Sequence, residues 1–220
     1  MYNNRMRAHS GRTHPFEAVK NLAEELRWKF GGSVTVHNLA VSSRSGRESL
    51  EIPIVRVRNP TGLSPPCRSA LWAGVEIETQ DVELCRLDDV PLGDIGVTKI
   101  DVEGPEGTVL KGAIATIERC RPNILVEAGG VSFARHDRSH RGFFASRRYS
   151  GCFLLHEELR PFRDFDRATM QNPTDYPELG SPIRRQKRHY VNDFMLLPDE
   201  TAGSTCNKRI KTLPAMDAIA

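Results

Sequence analysis

"VTKIDVEGPEGTVLKGA", Val97 to Ala113, is the stretch on which the fold turns. Its first half is apolar and β-branched enough for a buried strand, yet Lys99, Asp101 and Glu103 fall on alternate positions. Alternate positions share one face of a strand, so three charged groups project together from a Val/Ile segment. Such charges are costly unless partners or a ligand meet them. The second half reads as a helix: Pro105 suits the first helical position and Glu106 the positive end of the dipole. Val109, Leu110, Ala113, Ile114 and Ile117 then form one apolar stripe. Pro122 closes the connection, and "NILVEA" follows as the next buried strand.

An earlier segment has the same plan. "RTHPF" is a short extended run, and "AVKNLAEELRWKF" sets Val19, Leu22, Ala23, Leu26 and Phe30 at helical spacing. Gly31 and Gly32 stop that helix as a left-handed cap requires. "SVTVHNLAV" is a β-branched strand, and a turn at Ser45 and Gly46 leads into another. Two strand-helix-strand units with near-continuous apolar strands predict an α/β fold, a mostly parallel sheet with helices on both faces. Residues 58 to 74, rich in Pro, Gly and Ser, read as a loop before the strand-like "VEIETQDVELCRL". "GCFLLHEELRPF" and "YVNDFMLLP" extend the sheet as an antiparallel pair at one edge.

Composition sets the outer bounds. The 220 residues, 39% hydrophobic and 27% charged, suit one substantial domain. Residues 1–11 are expected as an N-terminal tail, 12–198 as the domain and 199–220 as a flexible C-terminal tail. A net charge of +3 is too mild to call for nucleic acid, and the basic runs Arg135 to Arg148 and Arg184 to His189 read as solvated surface. Five scattered cysteines without a CxxC pair point to reduced, mostly buried thiols and a cytoplasmic protein. No apolar run approaches the roughly 18 residues of a spanning helix, so no membrane partner is expected.

Acidic residues mark the place for chemistry. In an open parallel sheet, ligands sit at the carboxyl ends of the strands. Glu17 ends the first strand, Asp101 with Glu103 the middle one, and Glu127 the strand after it. Glu17 in such a place either accepts hydrogen bonds from ribose hydroxyls or partners the N-terminus of the helix that follows. Asp101 and Glu103 either cap the helix at Pro105 or act on a substrate hydroxyl as base or orienting group. Capping accounts for one acid, not for two plus Lys99. Two close carboxylates can hold a divalent cation, but no loop-type Asp/Glu repeat supports one, and no metal is expected. His136 and His140, at helical spacing, lack an apolar face and an adjacent Glu and read as surface residues. There is no G-x-S-x-G elbow, and Cys120, ending an amphipathic helix, reads as buried.

Taken together, "HPFEAVKNLAEEL", "VTVHNLAVSSRSGRESLEIP", "ELCRLDDVPLGDIGVTKIDVEGPEGTVLKGAIATIERCRPNILVEA" and "YVNDFMLLP" resemble the FkbM-type family of S-adenosylmethionine-dependent O-methyltransferases. The resemblance runs from about Gly11 to Pro198, and its most specific part is the run of "RLDD", "KIDVEGPE" and "VLKGA" in that order. It implies a Rossmann-like methyltransferase fold, S-adenosylmethionine as cofactor, and methyl transfer to a hydroxyl of a small molecule or sugar. Glu17 matches the acid that holds the cofactor ribose, and Asn38 to Val41, including Ala40, match the segment lying against the adenine. Asp101 and Glu103 match the acids beside the transferring methyl. The match opens at the family's second strand: the usual first strand and its D-x-G-A-N-x-G turn do not occur in this sequence. Pro105 stands where a bulkier residue is usual, and Ala18 where proline commonly follows "FE". The alternative reading is a non-catalytic methyltransferase-like remnant or binding module.

Overall fold

The computed structural model describes residues 12–54, 76–102, 104–127, 142–156, 158–171 and 190–202. Glu103, the loop 58–74, both halves of the His136/His140 pair and the run 184–189 lie outside them.

The chain forms a mixed α/β structure on two sheets. Helix α1 (Lys20–Phe30) precedes strands β1 (Ala40–Val41), β2 (Gly46–Ile54) and β3 (Glu76–Cys85), which form a three-stranded sheet in the order β1-β3-β2. Strand β4 (Val97–Ile100), helices α2 (Glu106–Lys111) and α3 (Ile114–Cys120), and strand β5 (Asn123–Glu127) follow. Strands β6 (Tyr149–Leu155), β7 (Glu158–Pro161) and β8 (Asp193–Pro198) complete a five-stranded sheet in the order β4-β5-β8-β6-β7. A single helical turn, α4 (Arg167–Met170), lies between β7 and β8, and another, α5 (Asp199–Ala202), ends the described chain.

The mostly parallel sheet is corrected here. Among the described residues, β4 with β5, β1 with β3 and the Phe16–His37 bridge run parallel; β8 enters between β5 and β6, antiparallel to both, and β7 is antiparallel to β6. The reason lies in the connections. A β6-β7 hairpin turns at His156, whose φ of 52° is left-handed, and a two-residue reversal cannot join parallel strands. Among the described residues, helices cover the two faces of this sheet unequally. The side of the sheet that carries Ile100, Ile124, Val126, Phe153 and Phe194 packs on Val109, Leu110, Ala113 and Ile117 of α2 and α3. The other side carries a smaller cluster, Cys152, Leu159, Leu197 and Ala202, with only α5 over it. Residues 199–202 of the expected tail are thus helical, with Ala202 buried.

The helix read as one over the opening stretch is two. Gly112 breaks it, because a β-carbon there would lie 1.8 Å from the carbonyl oxygen of Ser42. That close approach ties the α2–α3 junction to the chain leaving β1, and the Asp88 amide donates to the Gly112 carbonyl from a third segment. Pro105 sits one position before α2 rather than inside it. Glu106 stands in the first turn of α2 as read; it is buried, and its Oε1 accepts the Gly104 amide at 2.7 Å.

The N-terminal strands are shorter than their composition suggests. Residues 13–17 and 35–37 run side by side through three backbone hydrogen bonds, but only Phe16 and His37 form a bridge. Of the α1 stripe, Ala23 and Phe30 are buried, whereas Leu22 is exposed; Gly31 ends the helix with a positive φ of 54°, but its ψ of −144° is not that of the left-handed cap expected. Cys85 and Cys120 are free thiols, and Cys120 is only half-buried. Cys152 is disulfide-bonded, which corrects the expectation of reduced cysteines throughout. No helix among the described residues is long and apolar enough to cross a membrane.

Candidate functional site

The parallel pair β4 and β5 brings two of the acidic strand tips together. In its register Lys99 lies opposite Leu125 and Ile100 opposite Val126, so Ile100 and Val126 enter the core while Lys99 points to the other side. Asp101, two residues on, follows Lys99, and Glu127 ends the neighbouring strand. The Lys99 ammonium, with a side chain only 6% exposed, donates to Asp101 Oδ2 at 2.5 Å and to Glu127 Oε2 at 3.2 Å. Asn192 donates from Nδ2 to Glu127 Oε1 at 3.0 Å, and Asp193 stands directly opposite Glu127 across the β5–β8 ladder.

Electrostatics follow from this packing. Burial alone would lower the Lys99 proton affinity, but the hydrogen bond and charge of Asp101, joined by Glu127, outweigh it and hold the ammonium above the ordinary lysine range. For Glu127, burial first and then the Asp101 charge push the carboxyl above its usual range; Lys99 pulls against them and Asp193 adds to them.

The second group of sequence candidates lies on the other sheet. Asn38 donates from Nδ2 to the carbonyls of Glu17 and Ala18, at 2.8 and 3.0 Å, which locks the turn after Phe16. Glu17 Oε1 accepts the Val19 amide at 2.8 Å just before α1, so the helix-partner role weighed from sequence is realised. Its Oε2 has no donor among the described residues and remains available. Ala40 and Val41 form β1 and pair with Leu84 and Cys85. Beside Asn38 opens a cleft of about 250 Å³, lined also by Ala18, Lys20, Arg47, Asp81 and Glu83. It is smaller and far more charged than a typical cofactor pocket.

The structure therefore joins Asp101 to Lys99 and Glu127, and Glu17 to Asn38. No hydrogen bond or ion pair links the two groups among the described residues. Asp101 does not cap α2, which has no side-chain cap at its start. Asn192 was missed, and nothing in "YVNDF" marks it, because its role exists only once β8 lies beside β5. Glu127 was legible as a strand-tip acid but not as the partner of Lys99.

The pattern of the methyltransferase FkbM domain matches residues 2–150, more than half of the sequence. The chain belongs to the FkbM methyltransferase family. Among solved structures, methyltransferase FkbM from Methylobacillus flagellatus KT is similar at 18% identity, over 66% of this chain and 33% of that protein, with a TM-score of 0.42. The chain thus spans about a third of that relative's length. No curated protein matches it. Within the FkbM domain, the matched segment takes in both candidate groups, from Glu17 to Glu127, and ends inside β6. Asn192, on the last strand of the sheet, lies beyond it.

Proposed function

We propose that this FkbM-family chain is an S-adenosylmethionine-dependent O-methyltransferase with a Rossmann-like arrangement, acting on a hydroxyl of a small molecule or sugar. The observation that carries the reading is the carboxylate pair, Asp101 and Glu127, gathered on Lys99 at the carboxyl ends of the one parallel pair in the larger sheet. Strand tips of this kind are where α/β sheets hold their ligands. The fit to the cofactor lies in the donor types of these residues, not in the small, charged cleft beside Asn38. The available oxygen of Glu17 suits ribose hydroxyls, Asn38, Ala40 and Val41 supply the adenine side, and the acidic strand tips suit a sulfonium cation. When bound, that cofactor supplies an electrophilic methyl group. The chain's part is to align the acceptor oxygen in line with it and to take up the hydroxyl proton, for which Asp101 and Glu103 are the proposed carboxylates.

Isothermal titration with S-adenosylmethionine tests the reading. Heat of binding is expected from the wild type, weakened in Glu17→Ala and retained in Asp101→Ala, which is expected to lose turnover while keeping its fold. No heat at near-millimolar cofactor would leave the chain as a methyltransferase-like binding module without its own reaction.

A further inference from the structure

We propose that Cys152 is bonded to Cys206, and that this bond is a redox-sensitive strap fastening the chain after α5 to the second face of the five-stranded sheet. The inference goes beyond the methyltransferase reading and does not rest on it.

The sequence holds five cysteines, Cys67, Cys85, Cys120, Cys152 and Cys206. Cys152 is disulfide-bonded, whereas Cys85 and Cys120 are free thiols. Its partner is therefore Cys67 or Cys206, both of which lie outside the described residues. Position in the chain separates the two. Cys152 sits in β6 between β7 and β8, opposite Pro161 on one side and Met195 on the other. It is wholly buried in the smaller cluster, with Leu159, Leu197 and Ala202. Ala202 ends α5, and Cys206 follows four positions later. Four residues span at most about 14 Å, so a chain leaving this cluster at Ala202 keeps Cys206 near it. Cys67 belongs to the connection between β2 and β3 of the other sheet, and the described residue nearest to it in sequence is Glu76, at the exposed start of β3.

The contacts of α5 lead the chain to the same place. The Ser150 hydroxyl donates to Asp199 Oδ1 at 2.8 Å, and the Asp199 amide donates to the Arg148 carbonyl at 2.9 Å. The Arg121 guanidinium donates through Nε and one terminal nitrogen to the two oxygens of Glu200, each at 2.9 Å. These bonds hold the first turn against the start of β6, and Ala202 enters the cluster beside Cys152. They are exposed and polar, so the covalent bond is the firmer hold.

The strap can open without unfolding the sheet, because the larger core of Ile124, Val126, Phe153 and Phe194 lies on the other face and does not use it. Cys152 is shielded from solvent, so a dithiol reductant attacks the sulfur of Cys206. The S–S bond breaks, its electron pair leaves on Cys152, and a mixed disulfide joins Cys206 to the reductant. The second thiol of the reductant then closes its own disulfide and releases Cys206. Two electrons and two protons have passed from the dithiol to the strap, which ends as two thiols.

Alkylation of the free thiols of the denatured, unreduced whole chain, followed by digestion and mass spectrometry, tests the pairing. One linked pair of peptides is expected, holding Cys152 and Cys206, with Cys67, Cys85 and Cys120 alkylated. A Cys152–Cys67 link, or an alkylated Cys152, overturns the proposal. Hydrogen exchange of the folded chain with and without dithiothreitol tests the strap. On reduction, exchange in residues 199–202 is expected to rise about tenfold, while that of Ile124, Val126 and Phe194 stays within about twofold, as local opening requires. Cys206→Ser is expected to show the reduced pattern with or without dithiothreitol, and Cys67→Ser to behave as the wild type. Equal exchange in residues 199–202 of the oxidised and reduced chain overturns the proposal, as does a bond that dithiothreitol opens only when the whole sheet unfolds.

Discussion

The two sheets of this chain treat their side chains very differently. The five-stranded sheet hides Ile124, Val126, Phe153 and Phe194 almost completely and stacks Phe162 and Phe165 around them at centroid distances of 5.1 to 5.6 Å. The N-terminal unit buries only Ala23 and Phe30 of α1 and leaves Trp28 89% exposed. Half of β3 is exposed as well, and only its last residues reach the interior. Stability therefore resides in the first region, while the second is held by local hydrogen bonds and by its seam with the first. A site drawing on both regions has one rigid wall, at Lys99, and one wall fixed by turns, at Glu17 and Asn38.

The contrast can be broken by substitution. Phe153→Ala should cost about 3 to 5 kcal/mol by urea unfolding, as large-to-small changes in a packed core do, whereas Trp28→Ala should stay within about 0.5 kcal/mol. Similar losses for both would erase the distinction. Gly112→Ala comes next, because its β-carbon would collide with the Ser42 carbonyl at the seam. It should cost about 1 to 3 kcal/mol, with hydrogen exchange accelerated in β1 as well as in α2 and α3; exchange confined to the helices would show that the seam does not couple the sheets.

A smaller effect is expected at Asp88, whose side chain is only 6% exposed and whose carboxylate accepts the Thr116 and Ala115 amides, at 2.8 and 3.2 Å. It caps α3 from a distant segment, and Asp88→Ala should cost about 1 to 2 kcal/mol, with Asp88→Asn recovering much of it in thermal unfolding. The smallest lies in the N-terminal unit. His14 Nδ1 and His37 Nε2 are 3.2 Å apart, so at least one ring is neutral; burial first, then Arg12 for His14 and His14 and Arg27 for His37, lower both below 6.5. A lowered histidine leaves stability intact above the unfolded value and loses it as pH falls through 6.5 toward the folded one. Between about pH 7.5 and about pH 5.5 the wild type should therefore lose more stability than a His14→Gln, His37→Gln variant; equal slopes would rule out the pair as the source.

Legibility in the sequence followed the same divide. Around Val97 to Glu127 the strand-helix-strand pattern was readable because burial there is governed by the local period, and Val109, Leu110, Ala113 and Ile117 are buried as the stripe required. The break at Gly112 was not readable, since its cause is the Ser42 carbonyl about seventy residues away in sequence. The stripe of α1 overpredicted burial at Leu22 because periodicity shows a helix's apolar face without showing whether anything covers it. Strand direction was legible in part: β6 and β8 pair antiparallel as read, but β8 enters between β5 and β6 rather than at the edge, which apolar runs alone do not show. At the site, Asp101 was found through its alternation with Lys99, while Glu127 and Asn192 gained their meaning from neighbours supplied by β4 and β8.

Strand β4 has one paired side among the described residues, toward β5. A bare strand edge invites another chain to add to it, and inward-facing charge is one way in which such edges are made unattractive. Lys99 supplies that charge from the middle of β4, and its two carboxylates keep it there. Among the described residues, the lysine that organises the acidic rim is thus also the charge that the edge strand carries inward.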